Sequence, residues 1–185
     1  MKKDYLILVS FLAIMLISGG VVYVVKSPTA EKAVNTGGGP ADIEAELRMR
    51  ITRLEGQLIS DPNNLQVLTD LGNAYYDMNE PAKSIEYYEK SLAIKPVNPP
   101  VLVDCGVMYR ALNNADRALE MFDRAIALDP GFPQAYFNKG TVLRMEKNDR
   151  DGAAEAWKKY LELEPNVDPQ VKNLLESEIR AVSGS

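Results

Sequence analysis

The sequence repeats itself at a fixed period, and this period is its strongest structural constraint. Gly72, Gly106 and Gly140 are equally spaced along the chain, and Pro96 precedes Pro130 by the same distance. A fixed period of this length is typical of a stacked array, in which each unit needs its neighbours to bury its apolar face.

Three full repeats can be read from the pattern, over residues 65–98, 99–132 and 133–166. Each combines two short amphipathic helical patterns joined by a polar turn, such as Asn113-Asn114 in the second repeat. The turn in the third repeat is one residue longer, so its second helix is shifted by one position.

Composition excludes several classes of function. The net charge of −5 makes nucleic acid a poor partner, and the chain has no histidine, the commonest general base and zinc ligand. We therefore expect a protein that is not an enzyme and that uses no metal, cofactor or small-molecule substrate. The single cysteine, Cys105, is interpreted as a small core residue.

The first 25 residues predict a membrane anchor. Residues 5–25 carry no charge, and 21 residues of helix cross a hydrocarbon core of about 30 Å. Lys2 and Lys3 favour a cytoplasmic N-terminus, which places the rest of the chain on the periplasmic or other extracytoplasmic side of a cytoplasmic (inner) membrane, as a single-pass protein. A cleaved signal peptide is the alternative, although the apolar run is long for one.

The segments that flank the repeats have different predicted roles. Residues 26–41 are rich in Gly, Pro, Ser and Thr and predict a flexible linker. Residues 42–61 predict a leading helix with Asp42 as its N-cap, which either covers the first repeat as a half-repeat or pairs as a short coiled coil. Residues 167–183 predict a capping helix that begins at Asp168-Pro169 and keeps Glu178 in water.

The repeats resemble the tetratricopeptide repeat (TPR) family over residues 62–166. The family pattern of Leu-Gly, aromatic, small residue, aromatic and proline is matched in the second copy by Cys105-Gly106, Tyr109, Ala118, Phe122 and Pro130. The resemblance implies an all-α fold, a right-handed superhelix of three helix-turn-helix repeats with a leading half-repeat helix and a C-terminal capping helix, here behind an N-terminal transmembrane helix.

The resemblance also implies a concave groove lined by the first helix of each repeat. We expect an apolar and aromatic surface with two arginines one repeat period apart, suited to a peptide with apolar anchors and an acidic group. Two alternatives stay open: the arginines pair with nearby acids, and the apolar row contacts the capping helix. The predicted groove residues are Asn73, Tyr76, Val103, Val107, Arg110, Phe137, Thr141 and Arg144.

Chaperone-binding members of the family use a carboxylate clamp of lysine, asparagine and arginine. Only Asn73 matches that clamp here, because Thr69, Asp104, Gln134 and Asn138 stand at its other positions. The departures argue against binding of Hsp70 or Hsp90 tails.

The predicted function is that of a membrane-tethered scaffold or adaptor, which binds a protein or peptide partner in its groove on the extracytoplasmic side. The architecture also resembles accessory repeat proteins of bacterial cytochrome c biogenesis. The alternative is a structural accessory subunit of a larger, multiprotein membrane complex, respiratory or cytochrome-related, whose groove is permanently occupied.

Overall fold

A computed structural model describes residues 15–17, 20–22 and 40–183 of the protein. Two three-residue strands, β1 (Met15–Ile17) and β2 (Gly20–Val22), form an antiparallel pair in which Met15 lies opposite Val22. The other secondary-structure elements of the described chain are all helices, joined by short turns.

The predicted transmembrane helix is not found at the six described residues of the stretch 5–25, which are extended. The sequence there combines β-branched Ile17, Val21 and Val22 with two successive glycines, and both features disfavour a helix. The rest of that stretch and the linker predicted up to residue 39 lie outside the described residues. Within the described ranges, no helix combines the length and the apolar character needed to span a bilayer.

The predicted all-helical superhelix is confirmed for residues 40–183. The leading helix begins at Pro40, two residues before the predicted N-cap Asp42, because proline is tolerated in the first turn of a helix. The helices are α1 (Pro40–Ser60), α2 (Leu65–Asp77), α3 (Pro81–Ile94), α4 (Pro99–Ala111), α5 (Ala115–Leu128), α6 (Pro133–Met145), α7 (Arg150–Leu163) and α8 (Pro169–Ser183).

Each repeat is a helical hairpin, with helices A and B formed by α2 and α3, α4 and α5, and α6 and α7. The turns inside the three hairpins contain Asn79, Asn113 and Asn148, which have φ angles of 55°, 58° and 53°. Asparagine tolerates this left-handed conformation better than other non-glycine residues. The polar turn residues of the sequence therefore set the direction in which each helix B returns.

Helices A and B of each hairpin meet at a glycine and an aromatic ring. A Cβ atom built on Gly72, Gly106 or Gly140 would lie 2.4, 2.5 or 2.6 Å from the nearest atom of the facing ring. These rings belong to Tyr88, Phe122 and Trp157. Only glycine allows this close approach, as the repeat pattern predicts.

Both ends of the array are covered by single helices. Ile51 and Leu54 of α1 are buried in one cluster with Leu71 and Tyr75 of α2, so α1 packs as the predicted half-repeat. At the other end, Val171 and Leu175 of α8 are buried against the third repeat. The Asp168 carboxylate accepts hydrogen bonds from the backbone N–H groups of residues 170 and 171, which caps α8 as predicted.

Packing between helices follows the order of the chain. Each helix contacts its immediate neighbours, and the A helices also contact one another, α2 with α4 and α4 with α6. This arrangement places the A helices side by side and defines where a groove can lie.

Candidate protein-binding groove

The predicted groove residues lie on helices α2, α4 and α6, which adjoin one another along the array. Asn64 and Asn98 fix the beginnings of the first two of these helices, since their side chains accept hydrogen bonds from the N–H groups of Val67 and Val101. Pro133 is at the first position of the third.

The apolar row is buried instead of lying on an open face. Val103, Val107 and Phe137 are only 0%, 8% and 3% exposed. The expectation of an open apolar face is therefore wrong for these three side chains. Helix α4 contacts an A helix on each side, so positions that would face solvent on a lone hairpin are covered by its neighbours.

Phe137 packs toward the capping helix, which is one of the alternatives left open by the sequence. Its ring lies 5.1 Å from that of Tyr160, in one buried cluster with Val171 and Leu175 of α8. Thr141 is also buried, and its hydroxyl donates to the carbonyl oxygen of Phe137 at 2.8 Å. These two side chains stabilise the fold.

Asn73 and Tyr76 of α2 remain partly exposed. The Asn73 side-chain oxygen accepts a hydrogen bond from the hydroxyl of Tyr88 at 2.8 Å. The pKa of Tyr76 is raised above its ordinary value by burial and by the nearby negative charges of Asp104 and Asp77. Tyr76 is therefore protonated at neutral pH.

The two arginines pair with acids, which is the other alternative that the sequence left open. Arg110 Nε lies 2.7 Å from Glu146 Oε1, and Arg144 Nε lies 2.7 Å from Glu178 Oε2. The Arg110 and Arg144 side chains are 18% and 29% exposed. The first ion pair joins α4 to the end of α6 and the second joins α6 to α8, and each uses Nε, one of the five N–H donors of a guanidinium group.

Sequence reasoning missed Glu146 and Glu178 as groove residues. The prediction that Glu178 stays in water on the capping helix is incomplete, because this side chain faces Arg144. Arg110 and Arg144 are one repeat period apart, and this spacing identified them in the sequence. Glu146 and Glu178 are not one repeat period apart, so no periodic signal marks them. Other exposed residues of the A helices that border this surface are Asp77, Ala111 and Met145.

A buried carboxylate lies beneath the groove. Asp104 of α4 is only 3% exposed, and its negative charge raises the pKa of both Tyr76 and Tyr88. Burial is the larger cause of the increase for each tyrosine. Tyr76 and Tyr88 therefore stay neutral, and Asp104 gives the groove a polar side chain beneath its surface.

Cys105 is fully buried, as predicted, and burial raises the pKa of its thiol to about 12. The thiolate is the reactive form of cysteine, so this side chain is a core residue with little nucleophilic character at neutral pH. Among the residues that the structure describes, no group of three or more potential ligands could hold a metal ion.

Stacked helical hairpins with a row of A helices define an α-solenoid, a class of protein that typically acts by binding other proteins. The chain belongs to the tetratricopeptide repeat family, whose sequence profiles match residues 66–98 and residues 107–168.

Several solved structures share this fold. MamA is 25% identical, with a TM-score of 0.65 over 72% of this chain and 78% of MamA. The Sgt2 TPR domain from Aspergillus fumigatus is 31% identical, with a TM-score of 0.58 over 64% of this chain and 79% of that domain. The first TPR domain of Spaghetti (RPAP3), solved with the HSP90 peptide SRMEEVD, is 26% identical, with a TM-score of 0.58 over 66% of this chain and 96% of that domain. A comparison with curated proteins finds no match.

Proposed function

We propose that this protein is a non-enzymatic scaffold that binds a segment of a partner protein along the surface of α2, α4 and α6. The observation that carries the proposal is the pair of arginines on α4 and α6, which are ion-paired with Glu146 at the end of α6 and with Glu178 of α8. A carboxylate of the partner would replace Glu146 or Glu178 as the acceptor, because guanidinium groups bind carboxylates through two parallel hydrogen bonds.

Two further features support this function. The partly exposed side chains of Asn73 and Tyr76 lie in the same row of helices, and Met145, which is 49% exposed, adds an apolar contact. The related domain of RPAP3 was solved with a peptide that contains acidic residues near its end. Apart from Asn73, the clamp residues of chaperone-binding relatives are not reproduced here, so the peptide sequence is expected to differ.

We predict that the arginines and their acidic partners affect peptide binding in opposite directions. A peptide selected from a random library on the full chain should bind the double variant Arg110→Ala and Arg144→Ala at least about tenfold more weakly. The double variant Glu146→Gln and Glu178→Gln should bind it more tightly, because a neutral amide oxygen competes less strongly for the guanidinium groups than the original carboxylates do. Isothermal titration calorimetry measures both changes.

Arg53→Ala is the matched control for this experiment, since Arg53 is exposed on α1, which is not one of the three helices that form the groove. Its affinity for the peptide should equal that of the unaltered chain. Equal affinity in the double arginine variant, with unchanged circular dichroism, would contradict the groove assignment.

We also propose that residues 5–25 attach the scaffold to a membrane and that the repeats lie on its extracytoplasmic side. The support for this is the uncharged run of 21 residues after Lys2 and Lys3, while the short strand pair within the run counts against a continuous helix. Attachment would confine the groove to the membrane surface and raise the local concentration of a partner there. None of the three structures named above is described as a cytochrome c biogenesis protein, and that resemblance stays a prediction.

The full chain should therefore remain in the membrane fraction after an alkaline carbonate wash, whereas a chain without residues 5–25 should be found in the supernatant. A reporter fused after Ser185 should be active only outside the cytoplasm. Release of the full chain by the wash would refute the anchor, and reporter activity in the cytoplasm would refute the orientation.

A further inference from the structure

We call the place where α1 meets the first repeat the first junction of the array. There Tyr75 of α2 contacts both α1 and α3. Tyr75 Oη donates a hydrogen bond to Glu55 of α1 at 2.8 Å. Lys83 Nζ lies 5.0 Å from the centroid of the Tyr75 ring, within the range of a cation–π interaction. The junction thus combines an acid, a tyrosine and a cation.

The same three groups recur at the second junction, one repeat period later. Tyr109 Oη donates to Glu89 of α3, and Arg117 Cζ lies 5.2 Å from the centroid of the Tyr109 ring. Glu89 and Arg117 follow Glu55 and Lys83 at the same spacing as Gly106 follows Gly72. The combination therefore belongs to fixed positions of the repeat.

The third junction keeps the acid but has neither a tyrosine nor a cation at the equivalent positions. The equivalent residues are Asp123, Leu143 and, after the longer turn, Gly152. A cavity of about 430 Å³ opens there between α5, α6 and α7 and is lined by all three of these residues. Part of its lining is apolar, since Leu119, Tyr136 and Ala156 also border it.

The cavity carries an excess of negative charge. Three carboxylates line it, those of Asp123, Asp149 and Glu155, against the single ammonium group of Lys139. Lys139 Nζ lies 2.6 Å from Asp123 Oδ1, and Asp149 accepts the N–H of Gly152 at 2.9 Å. Glu155 is exposed and can meet a cation from outside.

We propose that this cavity is a second binding site, which takes a tyrosine side chain flanked by a basic residue from a partner protein. The partner would supply the two groups that the first two repeats supply from within the chain. Its ring would pack on Leu143 and Ala156, its hydroxyl would donate to Asp123, and the basic neighbour would pair with Glu155. The site is separate from the groove of A helices and does not depend on its function.

The probe is the short peptide acetyl-Gly-Arg-Tyr-Arg-Gly-amide, titrated into the ¹⁵N-labelled full chain and followed by nuclear magnetic resonance. We expect saturable shifts of the backbone amide signals of Gly152, Leu143 and Lys139. The same peptide with alanine in place of tyrosine should bind at least about fivefold more weakly, because the ring contributes most of the buried area. Equal binding of the two peptides, or no saturable shift, would overturn the proposal.

Two variants of the full chain complete the experiment. Leu143→Tyr restores the tyrosine of the first two repeats and should abolish the shifts by filling the cavity. Glu155→Lys changes an exposed charge without altering the core, and it should weaken binding of the tyrosine peptide about three- to fivefold. Glu162→Lys, on the same helix but away from the cavity, should leave the affinity unchanged. Retained affinity in Glu155→Lys, or an equal loss in Glu162→Lys, would contradict the site even if Leu143→Tyr fails to fold.

Discussion

We expect Phe122→Ala to lower the free energy of unfolding by about 3–5 kcal/mol, the usual cost of removing a fully buried aromatic ring. Phe122 is 0% exposed and lies against the backbone of Gly106 in the middle repeat. That repeat has full repeats on both sides, so the surroundings have little freedom to collapse into the cavity. Urea denaturation followed by far-ultraviolet circular dichroism measures the change.

Leu128→Ala is the matched control, because Leu128 lies on the same helix and is 42% exposed. It should cost less than about 1 kcal/mol. A loss of that small size in Phe122→Ala would mean that the ring is not the centre of the core.

The second large effect is expected from Gly106→Val, which should destabilise the protein by about 2 kcal/mol or more. The new Cβ would lie 2.5 Å from Phe122 Cε1, and the ring is fully buried. Overpacking of this kind costs about 1–3 kcal/mol, and the added methyl groups increase the clash. Thermal and urea denaturation of the variant should show the loss.

Gly56→Val offers the same substitution in open space, since nothing lies within 4 Å of a Cβ built on Gly56 in α1. There the change should be neutral or stabilising by a few tenths of a kcal/mol, as valine has the higher helix propensity. In a Phe122→Leu background, the cost of Gly106→Val should also fall, because the two sites are in contact. Similar costs at both glycines would show that helix propensity, and not the facing ring, determines the effect.

The repeat period was sufficient to predict which residues hold each hairpin together. The family pattern placed Gly106 on the first helix and Phe122 on the second helix of the middle repeat, and the leading helix was read as a half-repeat or a short coiled coil. The structure supports the half-repeat. Glu55 of the leading helix accepts a hydrogen bond from Tyr75, and Glu89 accepts the equivalent bond from Tyr109 one period later. Such contacts are local and repeat from unit to unit, so a single sequence contains the information.

The open surface of the groove could not be predicted in the same way. Whether Val103 is covered depends on how closely adjacent A helices approach, which is a property of the stack and not of one repeat. The pairing of Arg144 with Glu178 depends on the register of α8, which lies beyond the last periodic position. At the N-terminus, the sequence shows that residues 5–25 are apolar. Apolar character alone does not determine whether such a backbone is helical or extended.

The order of helix packing also has a consequence for how this protein reaches its native state. Because each helix in residues 40–183 packs mainly on its neighbours in the chain, few contacts require distant segments to meet. Folding can then begin in the middle hairpin and spread outward, while opening starts at the single helices α1 and α8. Since Glu178 of α8 is also the partner of Arg144, the end that opens most readily is one that helps to shape the groove.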